Sequence, residues 1–113
     1  MNIYCGVGNL TQEVELFQKD EFYSSSTSIA LNSYYKDNMT GEKKSKVTFL
    51  EIKAFGKLAL NMKKYLKKGS KIGIIGELNS EDWVDKETNK KRTKIVCILD
   101  KVDFLDHKKE DNG

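Results

Sequence analysis

The run Thr48-Phe49-Leu50-Glu51-Ile52-Lys53-Ala54-Phe55-Gly56-Lys57 alternates with period 2 and has two unlike faces. Such alternation marks a strand whose successive side chains point to opposite sides of a sheet. Leu50, Ile52 and Ala54 make an ordinary core face. Phe49, Glu51, Lys53 and Phe55 make the other, which is too charged to be buried and too aromatic to be merely solvated. A face of that composition implies a partner.

The rest of the chain supplies more strands and one helix. Asn2 to Gly8 reads as a first strand, with Ile3, Cys5 and Val7 on one parity and Gly6 and Gly8 marking bends or close backbone approach. Val14, Leu16 and Phe17 are apolar anchors in a connecting segment that runs to about Asp20. Phe22 to Tyr35 is a second extended region, with Ile29 and Leu31 as core positions. Parity alone does not say whether Tyr34 or Tyr35 points outward. Residues 36–46, KDNMTGEKKSK, read as a polar hairpin tip around Gly41. After the opening run, Leu58, Ala59, Met62, Tyr65 and Leu66 follow a 3.6-residue stripe. Lysines in the last turn and Gly69 at the C′ position fit the end of a helix.

Lys71 to Trp83 is the next strand; Ile72, Ile74 and Leu78 share one parity, and Glu77, Asn79, Glu81 and Trp83 the other. Residues 84–91, VDKETNKK, make a second charged tip. Thr93 to Leu105 closes the fold, with Ile95 to Leu99 apolar on both faces as in a twice-covered strand. The expected fold is therefore all-β with one helix: five strands in a small closed barrel, the helix between the third and fourth. Residues 1–106 form the domain and 107–113 a polar tail.

Composition removes several function classes. The longest apolar runs are a few residues, too short to cross a membrane. No basic and apolar leader precedes the first strand, so a cytoplasmic location is the expectation. Cys5 and Cys97 lie far apart in apolar strands, and His107 is the single histidine. Neither a zinc site nor a nucleophilic triad can be assembled from these, so no metal, cofactor or catalytic group is expected. Glu51, Glu77, Glu81 and Asp82 lack ligand spacing, and Gly69, Gly73 and Gly76 lack a phosphate-loop spacing. Net charge is +3, and Arg92 is the sole arginine among twenty basic residues. Lysine is a flexible point charge that neutralises phosphates, whereas arginine's rigid fork reads base edges.

Phe49, Phe55 and Trp83 sit on strand faces that otherwise carry charge, and Tyr35 enters a lysine-rich tip. Rings so placed can stack bases, because every base has a π-face. Lys53, Lys57 and the tip lysines Lys43, Lys44 and Lys46 would follow phosphates. The alternative is that the rings cover a subunit interface or the barrel ends.

Pieces spread along the chain resemble the bacterial-type single-stranded DNA-binding proteins, which use an OB-fold, a five-stranded Greek-key barrel. Asn2-Ile3 with Val7-Gly8-Asn9-Leu10-Thr11 is similar to that family's opening. Phe49 through Phe55-Gly56-Lys57-Leu58-Ala59 resembles its central strand entering the helix, and Tyr65-Leu66-Lys67-Lys68-Gly69-Ser70 resembles the helix's close. Gly76-Glu77-Leu78 with Trp83, and Thr93 onward, resemble its last strands. The match runs from about Asn2 to Leu105.

The resemblance implies stacking on Tyr35, Phe49, Phe55 and Trp83, and it selects Tyr35 over Tyr34. It also implies a homo-oligomer, a tetramer or a dimer. Asn79-Ser80-Glu81-Asp82 is acidic where the family commonly carries basic residues, which shifts phosphate contact toward Lys86, Lys90, Lys91 and Arg92. The family's acidic tip does not appear before Asn112-Gly113, so recruitment of replication and repair enzymes by that route is not expected, and a phage, plasmid or chromosomal source in a bacterial host is implied. The function expected is non-enzymatic: sequence-independent binding and protection of single-stranded DNA during replication, recombination or repair. Two alternatives are an OB-fold protein-interaction module of a primosome type and an RNA-binding OB domain.

Overall fold

A computed structural model describes residues 1–106. The proposed tail, with His107, lies outside them. Six strands and one helix follow in order: β1 (Tyr4–Leu10), β2 (Glu15–Lys19), β3 (Phe22–Lys36), β4 (Lys43–Phe55), α1 (Lys57–Tyr65), β5 (Lys71–Val84) and β6 (Lys91–Phe104). The strands lie in the order β1-β5-β6-β4-β3-β2, and an additional β1–β3 pairing closes a five-stranded barrel with β2 outside the ring.

The closure rests on two joints. β1 meets β3 through Asn9↔Ala30 and Leu10↔Ile29, and β4 runs parallel to β6 through Glu51↔Val96, Ile52↔Cys97 and Lys53↔Ile98. Gly8 lies so close to β3 at the first joint that a Cβ there would run into the Ala30 carbonyl oxygen. The expected close backbone approach is thus located. In β6 an extra residue, Asp100, lies between the partners of Ile75 and Gly76. Such a bulge bends a strand and increases its twist.

Closure buries Leu10, Val14, Ile29, Ile52, Ala54, Ile72, Ile74, Cys97 and Leu99 in one core. Helix α1 contributes Ala59 and Met62 and packs against β2, β3 and β4. Leu58 is half-buried, as its stripe position requires, but Tyr65 is exposed. Leu78 is exposed as well, because it lies where β5 leaves the barrel for its hairpin arm.

Three expectations need correction. The connecting segment after β1 holds a strand, β2, paired with β3 from Glu15↔Ser26 to Lys19↔Phe22. The helix therefore lies between the fourth and fifth strands, not the third and fourth. Gly69 has positive φ (93°) but is not the helix C′ residue. Helix α1 ends at Tyr65 with Leu66 as its cap, and Gly69 belongs to the following turn, where its N–H donates to the Leu10 carbonyl. Of the two cysteines in apolar strands, Cys5 is exposed and Cys97 is buried, its thiol pKa pushed up chiefly by that burial.

Two long hairpins project from the barrel, and their tips share one design. In Asp37-Asn38-Met39-Thr40-Gly41-Glu42 the Asp37 carboxylate accepts from the Met39 N–H at 2.8 Å, and the Gly41 N–H donates to the Asp37 carbonyl at 2.7 Å. In Asp85-Lys86-Glu87-Thr88-Asn89-Lys90 the Asp85 carboxylate accepts from the Glu87 N–H at 2.9 Å, and the Asn89 N–H donates to the Asp85 carbonyl at 2.6 Å. Gly41 and Asn89, at φ 75° and 60°, hold the left-handed position that each turn requires.

Candidate nucleic-acid interface

Residues opposed across a β ladder point to the same side of the sheet. On β4, Phe49, Glu51, Lys53 and Phe55 oppose Ala30, Ser28, Ser26 and Ser24 of β3. Small partners leave the rings standing clear: Phe49 is 69% exposed and Phe55 56%. On the far side, Glu51 registers with Val96 of β6, which registers with Asn79 of β5. Two and four residues further along that hairpin come the pairs Glu81↔Lys94 and Trp83↔Arg92. Trp83, 46% exposed, therefore shares the face of Phe49 and Phe55.

The middle of this face is an ion-pair cluster. Lys53 donates to both carboxylate oxygens of Glu81, at 2.9 and 2.8 Å. Lys94 donates to Glu51 at 2.8 Å, and the Ser26 hydroxyl donates to the other Glu51 oxygen at 3.3 Å. Cross contacts close the group: Lys53 to Glu51 at 4.0 Å and Lys94 to Glu81 at 3.9 Å. Beneath it Val96 is fully buried, although it lies outside the barrel core cluster. The hydrogen bond from Lys94 is the main cause that holds the Glu51 carboxyl below its ordinary pKa, and the same bond raises that of Lys94. Lys94 also sits over the Trp83 ring, 5.7 Å from its centroid, within cation–π range. Two lysines and two glutamates leave the cluster with no net charge.

The sequence-derived set divides on this geometry. Phe49, Phe55, Trp83 and Lys53 are brought together. Tyr35 opposes Lys44 and lies on the reverse face of the β3–β4 hairpin with Leu31 and Leu50, whereas Tyr34 opposes Ser45 and lies on the face of Phe49. Both tyrosines are exposed and, with Lys36 and Lys43, border one cleft at the tip. Lys44 pairs with Asp37 at 3.0 Å, the main cause of that carboxyl's lowered pKa, and Arg92 lies 3.5 Å from Asp85. Among the described residues no ion pair forms at Lys43, Lys46, Lys57, Lys90 or Lys91. Those lysines occupy the two hairpin arms and the start of α1; by register Lys43 shares the face of Phe49, whereas Lys46, opposite Ser33, and Lys91, opposite Val84, lie on the reverse faces of their hairpins.

Two further side chains belong to the face. Phe17 of β2 opposes Ser24, which opposes Phe55, so the two rings stand in one row two strands apart. They border a groove of about 330 Å³ with Ser26, Glu51, Lys53 and Glu81. Glu15, Phe17 and Lys19 alternate with Leu16 just as the central strand's rings and charges do, a signal that reading the segment as a connection conceals. Lys94 is the other, and only its cross-strand partner Glu81 distinguishes it from neighbouring lysines.

Among the described residues no three His, Cys, Asp or Glu side chains converge as metal ligands, and no helix is long and apolar enough to cross a membrane. The arrangement can stack planar rings and hold a polyanion at its rim.

Comparison with known proteins agrees with this chemistry. The model of the single-strand binding protein family matches residues 1–105. Single-stranded DNA-binding protein 1 of Xylella fastidiosa is 35% identical over 108 residues, covering 95% of this chain and 78% of that protein. The single-stranded DNA-binding protein of Wolinella succinogenes is 36% identical over 95% of this chain, which spans 65% of the relative's length. Among solved structures, a Plasmodium falciparum SSB complex with ssDNA superposes with a TM-score of 0.83 at 25% identity, covering 94% of this chain and 96% of that one. A small single-stranded DNA-binding protein from Streptomyces coelicolor, 20% identical, shares the fold with a TM-score of 0.73 over 92% of this chain and 95% of its own.

Proposed function

This chain belongs to the single-strand binding protein family, and on that footing we propose that it binds single-stranded DNA with little sequence preference. The observation that carries the reading is the row of Phe49, Phe55 and Trp83, exposed on one sheet face and flanked by lysines. Stacking on such rings is tolerant of base identity, and lysine neutralises phosphate without reading sequence. Phe17 and Tyr34 extend the stacking face, and Tyr35 serves the reverse side of the same hairpin. Lys43, Lys57 and Lys90 carry the phosphates. The domain that does this is residues 1–106, acting in the cytoplasm of a bacterial host during replication, recombination or repair, through binding rather than catalysis.

Self-association forms part of the proposal, with a tetramer or dimer as the working form. Tyr4 to Gly8 of β1 pair with β5 alone, since β3 reaches only Asn9 and Leu10. That open strand edge adjoins exposed Ile3, Val7 and Ile75. An unpaired edge beside an apolar stripe is a template for a second strand. Light scattering should report a mass above one chain.

Competition among poly-dT, poly-U and duplex DNA at two salt concentrations tests the binding. Preference for poly-dT with quenching of Trp83 fluorescence supports it. Preference for poly-U moves the assignment to RNA, and binding to none of the three leaves the aromatic face to a protein partner.

A further inference from the structure

The neutral cluster at the centre of the aromatic face bears on how a strand is held, and its role there rests on the proposed binding of single-stranded DNA. Of the lysines on β4 and β6, Lys53 and Lys94 lie nearest the rings, yet each is already satisfied by carboxylate. Glu81 takes two hydrogen bonds from Lys53, and Glu51 takes one from Lys94 and one from Ser26. A phosphate entering this region would meet lysines whose charge is already offset, and would either displace Glu81 or Glu51 or lie beside its carboxylate. Two like charges in contact disfavour either outcome, and the part-buried site screens them less than open solvent would.

We infer that Glu51 and Glu81 are positioning residues that hold Lys53 and Lys94 away from phosphate. The strand then crosses the centre of the face through its bases, while phosphate neutralisation falls to lysines outside the cluster: Lys43 on the same face, and Lys57 and Lys90 at the start of α1 and the β5–β6 tip. Phe55 and Trp83 flank a floor without net charge, a surface suited to planar, uncharged bases. Affinity at this centre is accordingly insensitive to salt. Lys53 stands beside the stacking site without being a phosphate contact.

The salt dependence of oligo-dT binding tests this, because each neutralised phosphate contributes about −0.7 to the slope of log K against log salt for single strands. Glu81→Gln releases Lys53 and should tighten binding and steepen the slope by about 0.7, which is about 2.6-fold more affinity lost over a fourfold rise in salt. The charge-balanced pair Lys53→Met with Glu81→Met should keep the wild-type slope, whereas Lys43→Met, which changes a lysine on the face of Phe49, should make it shallower by about 0.7. Circular dichroism and thermal melts check that each variant folds, and the balanced pair decides the matter if Glu81→Gln does not. A wild-type protein that binds tightly, together with a balanced pair whose slope becomes shallower, would overturn the masking alone. A Glu81→Gln slope equal to wild type would do the same. No binding of oligo-dT by the wild type would overturn the function itself, and the masking with it.

Discussion

Phe55→Ala removes one ring of the proposed stacking face. Its Cβ stays, its strand partner Ser24 is small, and 56% of the residue faces solvent. Burying a whole phenylalanine side chain contributes about 1.5–3 kcal/mol, so a ring slightly less than half covered contributes about 1 kcal/mol to stability. A loss of that size lowers Tm by about 4–8 °C in a domain near this length, leaving the protein folded at 25 °C. Binding should suffer more. Base stacking on an aromatic side chain is worth about 1–3 kcal/mol by alanine substitution, which corresponds to about 5- to 140-fold weaker affinity. The ring carries no charge, so the salt slope should stay at the wild-type value. Fluorescence anisotropy of a labelled oligo-dT, run beside thermal melts, separates the two effects. Tyr65→Ala is the control, since Tyr65 is equally exposed but sits at the end of α1 against Phe104, away from the face. Wild-type affinity for Phe55→Ala, or an equal loss for Tyr65→Ala, would refute the stacking argument.

Two other outcomes follow from the structure. The Glu51 carboxyl has its pKa lowered in the folded state, so its contribution to stability is present above the unfolded value near 4.5 and lost as pH falls through the folded value. Urea midpoints from pH 6 to 3 should fall further for wild type than for Glu51→Gln, and parallel curves would contradict the Lys94 hydrogen bond. The Lys94 pKa is raised, so its share is intact below the unfolded value of 10.5 and lost only as pH rises through the folded one. Gly8→Ala would press a methyl group into the Ala30 carbonyl at the β1–β3 joint; the expected cost is about 1–3 kcal/mol or more, read as a lowered Tm, and an unchanged Tm would mean that the joint can yield.

Much of this architecture was legible because it is local. Alternation at Phe49 to Phe55 decided which side chains face inward, and Ile52 and Ala54 are fully buried as that pattern requires. The spacing of Ala59, Met62 and Leu66 gave the helix its buried stripe for the same reason. Residues 15–19 were missed because a five-residue strand beside β3 gains its definition from the partner, and the segment alone reads equally well as a connection. Tyr34 and Tyr35 stand on opposite sides of one hairpin, and only the register set by the Asp37–Glu42 tip assigns each to its side.

Taken by itself, the sequence determined the fold class, the period of each element, the family resemblance and three of the rings exposed on one sheet face. All of these depend on residues within a few positions of one another or on the order of short motifs. Tertiary structure alone decided which charges cancel. Lys53 meets Glu81 28 residues away, and Lys94 meets Glu51 43 residues away, because barrel closure lays β4 beside β6 and β6 beside β5. Coulomb and hydrogen-bond partners are chosen by distance in space, which alternation along one strand does not encode. The mixture of rings and charges on β4 is therefore two different surfaces: rings left open for a ligand, and charges already spent on one another.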